Sequence, residues 1–251
     1  MDALNLPASI FTIALVFSRV GAIMMLLPGI GEVGVPARVR LGLALMVALI
    51  VGSIVGRSMP PMPDQPLLLA GLIIQEVLIG LYFGVLARLM MSALVVAGQV
   101  AGMQSGLAFA QSFDPTQGQQ GAVMATFLNL VAVTLIFVTG LHHLFLTGIV
   151  GSYSIMPAGS IPNLGDAAQL GTQIVAQSFR VGMQMAAPLI AFGLVFYLAL
   201  GVLSRLMPQV QIFFVAMPLN VFAGLSIFAI SLGSILNVWL HHIENFAQSM
   251  N

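Results

Sequence analysis

The chain has no cysteine, no lysine and very little charge. Without cysteine there are no disulfides, thiolate metal sites or thiol nucleophiles. All seven basic residues are arginines, seven acids balance them, and the formal net charge is zero. No basic surface is therefore available to nucleic acid, and no excess charge calls for an acidic partner. Charged residues make up 6% of the 251 positions, against about 25% in a soluble domain. The sequence also lacks His-Glu-x-x-His, a phosphate-binding glycine loop, Gly-x-Ser-x-Gly and any paired aspartates within an apolar run. No enzyme, cofactor or metal site is expected. Residues Met1–Pro7 show neither the basic stretch nor the small-residue cleavage site of a signal peptide, so the first apolar run is expected to persist in the mature protein.

What is present is hydrocarbon: 59% of residues are hydrophobic and the mean hydropathy is +1.08. A bilayer crossing needs about 20 apolar residues, and six runs qualify or nearly so, at 8–27, 41–56, 67–87, 122–141, 182–204 and 210–240. The third is expected to continue as helix through Arg88 to Gly106. The polar stretch Pro157–Gln177 carries Gly, Pro, Asn and Asp at turn positions and reads as a surface excursion. No soluble domain, coiled coil or fixed-period repeat is visible. Pro188 and Pro218 fall inside the last two runs, where proline removes a helical hydrogen bond and is expected to bend or break the helix.

Arg19, Glu76, Arg88, Arg180 and Arg205 interrupt or flank the apolar runs. A charge at the bilayer centre costs about 2.5–3.5 kcal/mol on insertion scales; some of these groups can snorkel, but Arg19 and Glu76 sit well inside their runs and are expected to meet partners inside a protein assembly rather than lipid. Glu76 has two readings, a proton or ion relay and a structural ion pair with an arginine, and the lack of a second relay group favours the pair. The histidine pairs His142-His143 and His241-His242 lack the i, i+4 spacing of a zinc clamp and close apolar runs, as interfacial histidines do. The methionine pairs Met24-Met25 and Met90-Met91 read as core packing.

The segment Gly98 to Pro115 is the most informative. Gly98, Gly102 and Gly106 lie four residues apart, a bare stripe along one helix face that admits another backbone. Gly80 and Gly84 repeat the pattern. Beyond Gly106 comes a loop with one charge and large apolar tips: Leu107, Phe109, Phe113, Asp114 and Pro115, then Gln117–Gly121. Irregular backbone of this kind is tolerated at membrane depth only when buried in protein or lining an aqueous cavity. By its residues alone the loop is either such a lining or an ordinary extramembrane connection.

Three stretches resemble the flagellar biosynthetic protein FliR family, the R-type subunits of type III secretion export gates. They are Ala97-Gly98-Gln99 through Gly106-Leu107-Ala108-Phe109 to Asp114-Pro115; Gly140-Leu141-His142-His143-Leu144-Phe145-Leu146; and Leu200 through Ser204-Arg205-Leu206-Met207-Pro208-Gln209 to Met217-Pro218-Leu219. The resemblance covers nearly the whole chain. It implies an all-α integral membrane-type subunit of helical hairpins with broken helices, packed into a hetero-oligomeric helical pore. It further implies a single export-gate domain, with 1–180 similar to a P-type subunit and 181–251 similar to a Q-type hairpin.

Carried onto this sequence, the family's pore plug corresponds to about Gly106–Val123, with Gly106, Leu107, Phe109, Phe113, Asp114 and Pro115 its recognisable members. Arg19, Glu76, Arg88 and Arg205 would be buried among subunits. The implied partners are P-type and Q-type gate subunits, the B-type switch subunit, the A-type export subunit and unfolded export substrates. The setting would be the bacterial inner membrane at the flagellar basal body, with membrane lipid around the assembly. Two alternatives stay open at this stage: a secondary transporter of a small solute with Glu76 as coupling acid, and an injectisome rather than a flagellar gate.

Overall fold

A computed structural model of the chain describes residues 6–32, 34–107, 123–160, 163–209 and 211–249, with backbone only at 213 and 247–249. Among the described residues every regular element is helical: α1 (Leu6–Leu26), α2 (Ala37–Val55) with a 3-10 turn at Gly56–Ser58, α3 (Pro66–Gln104), α4 (Val123–Val138), α5 (Leu141–Ile155), α6 (Leu164–Leu206) and α7 (Ile212–Ser249). Five of these helices are long and apolar enough to cross a membrane, and α4 with α5 makes a sixth candidate if that bent pair forms one span. The all-helical, membrane-type class expected from the sequence is what the chain adopts.

The helices begin where their sequences dictate. The turn before α2 uses Gly29 at φ 86° and a Gly31 N–H to Leu27 O bond of 2.7 Å, and Pro36 then directs the chain into the helix. Pro66 opens α3 at the one helical position that spares its missing N–H. α6 begins earlier than expected: its first turns occupy much of the polar stretch read as a surface excursion, leaving only the residues before Leu164 outside the helix. The cause is local. Asn163 Oδ1 accepts the Gly165 N–H at 3.1 Å, its Nδ2 donates to Asp166 Oδ2 at 2.9 Å, and Asp166 places negative charge in the first helical turn.

At Pro188 and Pro218, of the bend or break expected, no break occurs. α6 and α7 run on through both prolines. Each proline removes one bond, yet where no water competes for the remaining carbonyls the neighbouring turns hold. The sharp break lies elsewhere, between α4 and α5, where the axes turn by 79° at Thr139-Gly140. Gly140 takes φ +76°, and His142 Nδ1 lies 3.4 Å from Ile136 O near the end of α4.

The chain gathers into two compact units, one from residues 1–90, 136–174 and 244–251, the other from 91–135 and 175–243. In the first, α1 turns Phe11, Leu15, Val16, Arg19, Val20 and Ile23 inward at helical spacing. Gly80 and Gly84 bring α3 against it: a Cβ on Gly80 would stand 2.7 Å from Ala22 Cβ, and one on Gly84 2.8 Å from Leu26 Cβ. α2 packs on α1 through the small face Ala44, Ala48, Val51, Gly52 and Val55. In the second unit, Gly98 of α3 meets Ala125 of α4, where a Cβ would lie 2.5 Å from Ala125 N. Gly182 of α6 meets Val96 with a corresponding 2.9 Å.

Candidate functional site

Two constellations stand out, one in each unit. The first centres on Arg19 and Glu76, 0% and 1% exposed. Arg19 Nε donates to Glu76 Oε2 at 2.7 Å and Nη2 donates to Oε1 at 3.0 Å, a bidentate pair between α1 and α3. Its remaining amino group, Nη1, donates to Ser152 O at 3.1 Å and Met156 O at 2.8 Å, the carbonyls that close α5. The Tyr153 ring lies under the guanidinium, with 4.0 Å from Cζ to the ring centroid.

Four of the five N–H donors of this buried arginine thus have an acceptor, two of them on the carboxylate. It also places positive charge at the C-terminus of α5, where the helix dipole is negative. Gly80 stands one turn beyond Glu76 on the same face of α3, and it lets α1 approach closely enough for the carboxylate to reach. Glu76 is therefore held as an ion-pair partner.

On the same helix, Tyr82 donates its hydroxyl to Ala167 O at 2.9 Å and the Gln75 amide bonds to Ser160 O. α3 thus fixes both the end of α5 and the turn that follows it. Arg88 and Arg205 behave differently: both are exposed within this chain. Met24, Met90 and Met91 are buried, as core packing requires.

The second constellation surrounds the C-terminal end of α3. The helix ends at Gln104, so Gly106 does not extend the Gly98–Gly102 helical stripe. It takes φ +72°, a conformation that side chains strain, and its N–H reaches Met103 O at 3.2 Å. Ser105, wholly buried, donates its hydroxyl to Gly102 O at 3.2 Å and lies 4.0 Å from Met124 Sδ at the start of α4.

Three contacts hold this corner. Gly224 of α7 sits against Ser105, with a hypothetical Cβ 2.7 Å from its Cα. Gly193 of α6 receives the Gln104 side chain, whose Cδ would be 2.9 Å from a Cβ there. Asn220 of α7, 4% exposed, packs on Gly106 with its Nδ2 2.8 Å from the place a Cβ would occupy, and extends that Nδ2 to Tyr197 Oη at 3.4 Å. Gly102 is buried, as is Gly98.

Ser105, just past the end of α3, and Met124, at the start of α4, thus stand side by side. Leu107 is half-buried. Phe109, Phe113, Asp114 and Pro115 lie outside the described residues. Sequence reasoning passed over Ser105, Asn220, Gly193 and Gly224. Isolated glycines and a lone amide within apolar runs were the available signal, because each marks a place where a neighbour comes close or a polar group needs a partner.

No group of three potential metal-ligating side chains gathers among the described residues. What the geometry offers is a set of glycine-lined contacts that grip one end of a connecting segment, in a frame of long apolar helices. Residues 10–246 match the family described as bacterial export proteins, family 1, which sets the class: a helical membrane protein of an export apparatus.

Flagellar biosynthetic proteins FliR are similar along the chain: 48% identical in Caulobacter vibrioides over 95% of both chains, 34% in Escherichia coli over 84% of this chain and 80% of that one, and 32% in Bacillus subtilis over 82% and 80%. The chain belongs to the FliR family, as a subunit of the flagellar type III export gate. Neither a solute transporter nor an injectisome subunit is favoured by these relatives.

Proposed function

We propose that the chain forms part of the gate's conduit and that residues 106–123 plug it. In this reading Gly106, Leu107, Phe109, Phe113, Asp114 and Pro115 close the resting channel to ions and yield to an unfolded flagellar protein. The observation that supports it is the clasp at the base of the segment. Ser105 stands beside Met124, and Gly106 at positive φ is wedged against Asn220. With both ends already held together, the intervening residues can be displaced without unseating α3 or α4. Apolar tips exclude water while packed and oppose displacement only weakly.

The surroundings follow from the same reading. The gate sits in the bacterial inner membrane at the flagellar basal body. P-type and Q-type subunits enclose the helices, and the B-type switch and A-type export subunits deliver substrate. Residues 1–180 take the place of a P-type subunit and 181–251 that of a Q-type hairpin. Arg88 and Arg205, exposed on this chain alone, become buried against those neighbours. The chain acts without chemistry of its own.

Deletion of residues 108–120 in the assembled complex tests the plug. Ion leak across the membrane with undiminished complex yield is the expected result. Intact assembly without leak would leave a scaffold. Phe113→Ala should raise leak by a smaller amount, read as conductance of the same complex in planar bilayers.

A further inference from the structure

Asn220 is a polar residue in an apolar place. It lies in α7 between Met217-Pro218-Leu219 and Val221-Phe222, and it is 4% exposed. An amide has two N–H donors and an oxygen with two lone pairs. Here Nδ2 makes one long bond, 3.4 Å to Tyr197 Oη of α6, and Oδ1 has no partner among the described residues. A buried amide so nearly unpaired costs stability that a leucine of similar size would not. Packing alone therefore does not account for it.

What the amide faces is the turn at Gly106. Its Nδ2 stands 2.8 Å from the place a Cβ on Gly106 would occupy. One helical turn further along α7, Gly224 lies against Ser105. The Asn220–Gly224 face of α7 thus runs along the two residues at the entrance to the plug segment. α6 reaches the same corner twice, with Gly193 against Gln104 and, one turn on, Tyr197 against Asn220.

We infer that Asn220 is a positioning residue of the gate: supported by the Tyr197 hydroxyl, its amide holds the turn at Gly106 and sets how readily the plug is displaced. The inference rests on the plug reading above. The incomplete bonding of the amide is what suits it to the task. A fully bonded amide would lock the turn. One long bond with close packing holds the turn at rest and gives way under a passing chain. Because Tyr197 belongs to α6 and Asn220 to α7, a shift of one helix against the other lengthens their bond and loosens the turn. The plug is thereby coupled to the α6–α7 pair.

The test reads resting ion conductance of the whole gate complex in planar bilayers. Tyr197 is 44% exposed, so Tyr197→Phe removes the hydroxyl without opening a buried cavity. It should raise the conductance by about threefold or more, the scale of one weak neutral hydrogen bond, with complex yield and thermal midpoint unchanged. Asn220→Leu keeps the volume and removes the amide. It should leak at least as much while raising the thermal midpoint, because an unpaired acceptor is gone. A purely structural residue would not move stability and leak in opposite senses. The double variant should leak no more than Asn220→Leu alone, since both changes break one link.

Tight channels in both single variants would overturn the inference and leave Asn220 as packing. Additive leaks in the double variant would overturn the link between the two residues. Should Asn220→Leu fail to assemble, Tyr197→Phe still decides. The complex lacking residues 108–120 separates this inference from the plug itself. If that complex does not leak, the plug reading fails and this inference with it. If it leaks while Tyr197→Phe stays tight, only the present inference fails. Added to the deletion, Tyr197→Phe should change nothing; a further rise in conductance would mean that the hydroxyl acts elsewhere than on the plug.

Discussion

At the scale of single residues, the buried pair carries the sharpest consequence. Arg19 and Glu76 were visible in the sequence as misfits, each a charge inside an apolar run. An ion pair of Glu76 with an arginine was legible too, but not which arginine, because 57 positions separate Arg19 from Glu76 and no local pattern links α1 to α3. Nor did the sequence disclose that Ser152 and Met156 would present their carbonyls, since backbone acceptors leave no trace in residue identity. Removing one member strands the other in a dry interior, and breaking such a pair costs about 3–5 kcal/mol. Glu76→Gln should therefore lower the thermal midpoint of the purified complex and its yield. The double replacement Arg19→Met with Glu76→Leu should recover much of that loss, because well-packed apolar side chains need no partner. A proton relay predicts otherwise: Glu76→Gln would assemble normally and abolish export, and that result would remove the structural role argued for the pair.

At the scale of elements, the glycines divide into two kinds that spacing cannot separate. Gly98 and Gly102 lie within α3, and at Gly98 the Ala125 backbone stands where a side chain would go. Gly106 has the same four-residue interval but lies past the end of the helix, at positive φ, turning the chain out of α3. A bare stripe and a helix-terminating glycine share a sequence signature, and only backbone geometry distinguishes them. The helix limits themselves were partly legible. Pro36 and Pro66 marked starts, whereas Pro188 and Pro218 did not mark stops, because proline costs one bond and an apolar setting supplies no competitor for the rest.

The test at this scale is Gly106→Ala. A Cβ there meets the left-handed penalty of about 1–2 kcal/mol and crowds Asn220. If the corner is the fixed base of the segment, the variant should assemble with reduced thermal stability and leak ions. Gly171→Ala, in open space on α6, serves as the control and should do neither. Equal behaviour of the two variants would show that the turn at Gly106 is not a fixed point.

At the scale of the whole molecule, composition already implied a membrane setting, and the helical, membrane-type class followed from six apolar runs. What covers each helix was not legible, since a leucine facing lipid and a leucine facing a neighbouring helix are the same residue. The helix lengths bear on it. α6 and α7 are about twice the bilayer thickness and bury only 17% of their most apolar windows within the chain. So much uncovered surface on helices too long for the slab exceeds what lipid alone can accommodate without steep tilt. In the function proposed above, protein neighbours supply the rest of the cover.

The chain should accordingly depend on them. Expressed alone and extracted in mild detergent, it should be cut by added protease within α6 and α7. Co-expressed with the P-type and Q-type subunits, the same cuts should slow by at least tenfold. Equal cleavage rates in the two preparations would mean that α6 and α7 are not enclosed by those subunits, and the long apolar helices would then need a covering other than the gate's own neighbours.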